Sequence, residues 1–313
     1  MNKILRLFEF IKYYIFTIFS NIAPSKNIKF VLFIFLKSAY YNLRYSFKNI
    51  FKPSNNIKFN FSRGNYWDRC ANHLNFTSKY YDTNQIHKAP VVSITTWYNS
   101  PFNKNLKDNY FLNEKINKFS KILTETFDDI NYSDTLYWYG QFYHSLIFDI
   151  ITEKQKEYVN NCHVLEIGPG LGLNSLFYSD FNSRDIYYYD LYSMTLLQKR
   201  IENLLNKNNK INKIIYHDKV KSLEQDLISK DYYIVSRYAF SEFPLNLRNE
   251  FEKIIKNSKF SLFLSNTEFE NIKNENYFQS LAKNINKNLT IKNFYYPEQD
   301  PFTKKHNFFI LHD

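Results

Sequence analysis

The segment with the clearest chemical capacity is His163-Val-Leu-Glu-Ile-Gly-Pro-Gly-Leu-Gly-Leu-Asn174. The chain holds only 5 glycines in 313 residues, where average usage of ~7% would give about 22. Three of them, Gly168, Gly170 and Gly172, stand on alternate positions. Random placement yields that arrangement on the order of once in a thousand chains. A chain that otherwise avoids glycine keeps it where the backbone must take positive φ or let a ligand approach closely. An apolar run precedes the turn, and Leu173, Leu176 and Phe177 follow it at helical spacing. Position 173 is Leu, so the spacing is G-x-G-x-G and not the G-x-G-x-x-G nicotinamide fingerprint. Asp190 closes the next apolar run, 18 residues after Gly172. A carboxylate there can accept both hydroxyls of a ribose. Plainer readings stay open for both acids: a solvated strand end for Glu166 and a helix N-cap for Asp190.

The elements that must position these residues alternate from about Tyr137 onward. Short β-rich runs predict strands over 163–167, 186–190, 213–217, 232–236, 260–265, 289–294 and 306–312. Helical spacing predicts helices over 173–181, 193–205, 220–228, 246–256 and 272–285. Such alternation predicts an α/β fold with a doubly wound, mostly parallel, seven-stranded sheet. Ligands of such sheets lie outside the carboxyl ends of the parallel strands.

On these residues the sequence resembles the class I S-adenosylmethionine-dependent methyltransferases, over roughly residues 137–313. Glu166, Gly168, Gly170 and Gly172 match that family's first motif, and Asp190 its ribose-holding acid. The resemblance implies a Rossmann-like methyltransferase fold with S-adenosylmethionine as cofactor. Glu166, Gly168, Pro169, Gly170 and Gly172 would wrap its methionine part and sugar, and Asp190 with Leu191 its ribose. Asp218, at the end of the third predicted strand, falls where the family contacts adenine, although a loop aspartate is the plainer reading. Ser236 ends the fourth strand, and Arg237-Tyr-Ala-Phe-Ser-Glu-Phe243 resembles the loop that follows it. From that loop to His306-Asn307 the chain is similar, more narrowly, to sugar O-methyltransferases of bacterial surface-polysaccharide gene clusters.

Methyl transfer to a sugar oxygen requires in-line alignment and a base for the hydroxyl proton. Glu242 lies just past the fourth strand, on the active edge, where it can serve as base or bind substrate. It can equally neutralise the N-terminus of the helix after Pro244. His306 reaches the same edge if the last strand runs antiparallel, as the resemblance implies, which puts His312 at the far end. His144, one turn into the helix before the glycine strand, is a third candidate beside its reading as an ordinary helix histidine. His217 and Asp218 are adjacent on a strand, where neighbours point to opposite faces, so they form no chelating pair. No other cluster has ligand spacing, and no metal is expected.

Composition bounds the rest. Cys70 and Cys162 are the only cysteines, which excludes a disulfide scaffold and a cysteine-rich zinc site. Of the net charge of +11, residues 1–60 supply nine, with ten Lys and Arg against Glu9 alone. Within this arm Ile4, Phe8, Ile11, Ile15, Ile18 and Ile22 form one helical stripe that ends at Pro24. A second apolar run over 28–47 stops before Pro53. Three readings of the arm stay open: packing on the body or on a second copy, lying in a membrane interface with its cations on headgroups, or a spanning anchor or signal sequence. Glu9 and Lys12 interrupt its apolar run, and the charge-free stretch over 13–25 is shorter than the ~20 residues a spanning helix needs.

The expected organisation is a basic helical extension over 1–60, a lid or substrate region over 61–136 and the cofactor-binding domain over 137–313. The expected partner is a sugar or glycan, free or lipid-linked, with the chain cytoplasmic and peripheral on the inner face of the membrane. Nucleic acid is not expected, because the body is nearly neutral and the arm's cations are interleaved with an apolar stripe. Methylation of RNA or protein, or a non-catalytic membrane-associated role on the same fold, are the competing readings.

Overall fold

The computed structural model describes residues 150–207, 211–265, 267–269, 271–294 and 306–313, together with Thr83 and residues 118–119 and 121–127. The expected arm over 1–60, nearly all of 61–136 and His144 lie outside the described residues.

Seven strands form one sheet in the order β3-β2-β1-β4-β5-β9-β8. They are β1 (His163–Ile167), β2 (Ile186–Tyr189), β3 (Ile214–His217), β4 (Tyr232–Arg237), β5 (Phe260–Ser265), β8 (Asn288–Phe294) and β9 (His306–His312). The first five in that order run parallel, and β9 is antiparallel to both of its neighbours. The condition on which His306 depended is therefore met. This is the expected doubly wound, mostly parallel seven-stranded α/β sheet.

Runs such as Ile-Tyr-Tyr-Tyr in β2 are buried at all four positions because helices cover both faces of the sheet. One face packs against α1 (Glu153–Asn161), α2 (Ser175–Phe181) and α3 (Tyr192–Leu205). Phe119, Leu123 and Phe127 join that core, with the Phe119 ring centroid 4.4 Å from that of Phe177. The other face packs against α4 (Val220–Leu227), α5 (Leu245–Glu250), α6 (Glu252–Asn257) and α7 (Asn274–Ile285). Alternation along β1 divides the faces: Val164 points to the first and Leu165 and Ile167 to the second.

Three local features differ from the pattern. The helix expected over 246–256 is two helices, broken at Phe251 (φ −84°, ψ −10°). Phe251 is wholly buried with its ring edge-on to Tyr189 at 4.8 Å, so core packing overrides the helical spacing there. Ile272–Lys273 pairs with Glu268–Phe269 as a small hairpin, β7 with β6, instead of opening the next helix. A 3₁₀ turn at Ala239–Glu242 follows β4, where the sequence offered only a loop.

Candidate cofactor and acceptor site

From β1 the chain turns one way to β2 and the other way, later, to β4, so the crevice between β1 and β4 is the topological switch point. Two tight turns border it, one after each strand. In the turn after β1, Gly168, Gly170 and Gly172 have φ of 69°, 61° and 76°, the left-handed region that only glycine enters readily. A Cβ on Gly168 would stand 2.1 Å from the Ala239 Cβ in the turn after β4. One on Gly172 would stand 3.0 Å from the Tyr188 ring. These glycines thus set the turn's shape and let it close against both neighbouring elements. The Tyr188 hydroxyl donates to the Gly172 carbonyl at 2.9 Å, and the Gly172 N–H donates to the Pro169 carbonyl at 3.1 Å.

Glu166 is 0% exposed, which overturns its reading as a solvated strand end. Its Oε1 accepts from Asn174 Nδ2 at 2.6 Å and lies 3.4 Å from Arg237 Nη2. Asn174 precedes α2 without a side-chain cap bond to it, and its amide N–H donates to Glu166.

Asp190 does not cap α3; Leu191 holds that position. Asp190 Oδ1 accepts from the Leu191 N–H at 2.7 Å, and Oδ2 accepts from Gln198 Nε2 at 2.9 Å. The same Gln198 nitrogen donates to the Gly170 carbonyl at 2.7 Å. Gln198 is 1% exposed and sits among Met194, Leu197, Ile201 and Leu205 on the buried stripe of α3. Its Oε1 has no hydrogen-bond partner among the described residues, a cost of about 1–3 kcal/mol.

The remaining cofactor candidates divide. The Leu191 side chain is in the core, so only its N–H faces the site. Ser236 is buried, donating to the Ile167 carbonyl at 3.0 Å and accepting from the Phe240 N–H at 3.0 Å, which ties the two turns together. Asp218 stands half-buried just past β3. Its neighbour His217 is pushed down by burial, against the opposing pull of the Asp226 and Asp218 carboxylates. Among the described residues no group of three or more His, Cys, Asp or Glu is arranged to hold a metal ion.

On the other side of the crevice, Tyr238 has φ 63° and ψ −40°, a strained conformation that costs on the order of 1–3 kcal/mol. Its N–H donates to the Leu264 carbonyl at 2.7 Å. Its carbonyl accepts from Ser241 Oγ at 2.6 Å and from the Glu242 N–H at 3.1 Å. The result is a 3₁₀ turn that leaves Glu242 half-buried beyond the end of β4. Arg248, fully buried, donates from Nη2 to the Ser241 carbonyl and from Nε to the Phe243 carbonyl at 2.8 Å, gripping both sides of Glu242. Its Nη1 donates to Asn274 Oδ1 at 2.8 Å, and the guanidinium lies 4.8 Å from the Tyr277 ring centroid. Burial pushes Arg248 down to about 10, with Tyr277 and Glu242 opposing the shift.

The backbone of His306 starts β9 at this same edge, paired with Phe294, whereas His312 pairs with Phe260 at the far end. The fold thus brings the glycine turn, Glu166, Asp190, Glu242 and the start of β9 to one edge. Gln198, Asn174, Tyr188 and Arg248 were missed as site-building residues. The one signal available was the position of Gln198 on the apolar stripe of its helix, between Met194 and Ile201.

No family model matches the chain, and no curated protein matches it in sequence. Among solved structures, it is similar to the methyltransferase domain of a bacterial CtHen1, at 13% identity over 51% of this chain and 94% of that one, with a TM-score of 0.41. It is also similar to magnesium protoporphyrin IX methyltransferase (ChlM) from Synechocystis PCC 6803 with bound SAM, at 8% identity over 51% and 74% of the two chains, TM-score 0.39. An rRNA methylase from Streptococcus thermophilus is 11% identical over 51% and 94%, TM-score 0.37. At such identities, and with TM-scores this low, no substrate or acceptor carries over from these proteins.

Proposed function

We propose that the chain is an S-adenosylmethionine-dependent O-methyltransferase that acts on a sugar hydroxyl in bacterial surface-polysaccharide biosynthesis. The observation that carries the cofactor reading is the positive-φ glycine turn, joined through one buried amide to Asp190 at the switch point. The residues present fit the group: the positive-φ turn lies beside a carboxylate pinned by the Leu191 N–H and Gln198, and Cβ atoms at Gly168 and Gly172 would press on Ala239 and Tyr188 and push the turn out of shape. Gly168, Gly170 and Gly172 would let the backbone approach the methionine part and sugar, and Asp190 would accept from the ribose hydroxyls. When bound, S-adenosylmethionine supplies an electrophilic methyl carbon on a sulfonium. The chain's task is then alignment of the acceptor and removal of one hydroxyl proton. Glu242 would take that proton, a reading supported by the grip of Arg248 on the backbone at both of its flanks, with His306 the second candidate. The narrower sugar assignment is supported by the resemblance of Arg237–Phe243 and His306-Asn307 to sugar O-methyltransferases.

Incubating the full chain with methyl-labelled S-adenosylmethionine and, in parallel, nucleotide sugars, surface polysaccharide and RNA tests this. Label on a glycan is the expected result. RNA belongs in the assay because the net charge is +11, and label on RNA alone overturns the sugar assignment. Residues 1–60 are proposed to hold the chain peripherally on anionic lipid. Removing them should shift the protein from the membrane to the soluble fraction. High salt should partly release the intact chain, because such attraction is screened within ~8–10 Å. Among the described residues no helix is long and apolar enough to cross a membrane.

A further inference from the structure

We infer that Gln198 is a positioning residue that sets the spacing and orientation of the two loops holding the cofactor's ribose. The inference rests on the cofactor reading above. The Gly170 carbonyl, from the turn after β1, and the Asp190 carboxylate, from the end of β2, converge on Gln198 Nε2 at 2.7 and 2.9 Å. Both groups are acceptors only, so the amide nitrogen must be the end that faces them, with one N–H for each. Without that donor two negative ends would face one another. The side chain also passes beneath the turn, since a Cβ on Gly172 would lie 3.4 Å from Gln198 Cγ.

Packing alone does not account for the residue. Met fills nearly the same volume and suits the neighbours Met194, Leu197 and Ile201. Gln198 instead buries a carbonyl oxygen with no hydrogen-bond partner among the described residues. What the amide adds, beyond the Gly168 N–H bond to the Tyr189 carbonyl and the Tyr188 bond to Gly172, is a direct link from the Gly170 carbonyl to the Asp190 carboxylate. It also completes the grip on Asp190: the Leu191 N–H holds Oδ1 and Gln198 holds Oδ2. A carboxylate held through both oxygens has a fixed plane, and a fixed plane suits a vicinal diol because less freedom is lost on binding.

The test measures S-adenosylhomocysteine affinity by calorimetry from pH 5 to pH 8, together with the melting temperature of the ligand-free protein, for the full-length wild-type chain, Gln198→Met and Gln198→Glu. Gln198→Met should melt within a few degrees of wild type and bind about tenfold more weakly at every pH. In Gln198→Glu a protonated side chain still donates one hydrogen bond, whereas an ionised one repels both partners. Its affinity should approach wild type at pH 5 and fall toward pH 8, while wild-type affinity stays flat. A folded Gln198→Met with wild-type affinity overturns the inference. So does a Gln198→Glu whose loss does not vary with pH, which decides the matter if Gln198→Met fails to fold. A wild-type chain that binds no S-adenosylhomocysteine overturns the cofactor reading and this inference with it. The wild-type arm reports that failure separately.

Discussion

Along the carboxyl edge of the sheet, the side formed by β1 and β2 is held by many short bonds between neighbouring loops. Asn174 meets Glu166, Tyr188 meets Gly172, and Gln198 joins Gly170 to Asp190. The side formed by β4 and β5 is built around a single buried cation, Arg248, which gathers the Ser241 and Phe243 carbonyls, Asn274 and the Tyr277 ring. One side is a fixed cradle in which backbone must come close. The other is a strained turn that carries a half-buried carboxylate. In the proposed methyl transfer the contrast would suit two tasks: holding an invariant donor by shape, and moving a proton on a variable acceptor.

If the division is real, changes on the two sides should fail in different ways. The largest effect is expected from Glu242→Gln, which keeps size and hydrogen bonding but cannot take a proton. Turnover should fall about 10²–10⁴-fold, mainly in kcat, while calorimetry shows unchanged S-adenosylhomocysteine affinity. Normal turnover would remove Glu242 as base and pass the role to His306, tested in the same way by His306→Asn. Next comes Gly168→Ala. A methyl group there meets the Ala239 Cβ at 2.1 Å in a left-handed backbone, and should cost at least ~3 kcal/mol of stability by chemical denaturation. Because it forces the two turns apart, it should damage cofactor binding and turnover together. Losing turnover alone would show that the sides are less coupled than the Gly168–Ala239 approach implies.

The side proposed to hold the cofactor was the legible one. Alternate glycines in a glycine-poor chain, an apolar strand before them and an acid after the next strand are local signals, and they fix a turn, an edge and a carboxylate. The acceptor side left no such trace. Nothing in the sequence singles out Arg248, which is fully buried, and only the tertiary fold brings Ser241, Phe243, Asn274 and Tyr277 around it. Tyr238 takes positive φ without glycine, so its turn has no compositional marker. Phe251 breaks a well-spaced helix because its ring is wanted in the core. Gln198 was hidden for a related reason: a lone Gln on a buried stripe is ordinary in sequence, and its meaning comes from two acceptors that lie 28 and 8 residues away.

A smaller effect separates the sides quantitatively. Asp190→Ala removes the carboxylate that Leu191 N–H and Gln198 hold. It should weaken S-adenosylhomocysteine binding by about 1–3 kcal/mol, the scale of lost charge-assisted hydrogen bonds. At saturating cofactor, kcat should remain within a few-fold of wild type, because the loss falls on binding and not on the proton step. A kcat loss as deep as that of Glu242→Gln would mean that the cradle also sets the reacting geometry.

The smallest expected effect is a pH dependence that belongs to the cofactor side alone. His217 ends β3 with its ring stacked on Tyr187, Nδ1 3.2 Å from Ser222 Oγ and Nε2 3.3 Å from Asp226 Oδ2. Burial holds its proton affinity below the ordinary value, and outweighs the pull of Asp226 and Asp218. In the unfolded chain the imidazole titrates near ~6.5. Between that value and the lower folded one, the unfolded chain binds a proton that the folded chain does not. Stability is therefore full above the unfolded value, falls as pH drops through this window, and levels off below the folded value. His217→Gln keeps a partner for Ser222 and removes the titration. Its melting temperature, measured from pH 4 to pH 8, should fall less steeply with acid than that of wild type, and the two curves should run parallel above pH 7. Parallel curves across the whole range would mean that Asp226 and Asp218 offset the burial of His217. The acid sensitivity of the fold would then lie elsewhere than at the end of β3.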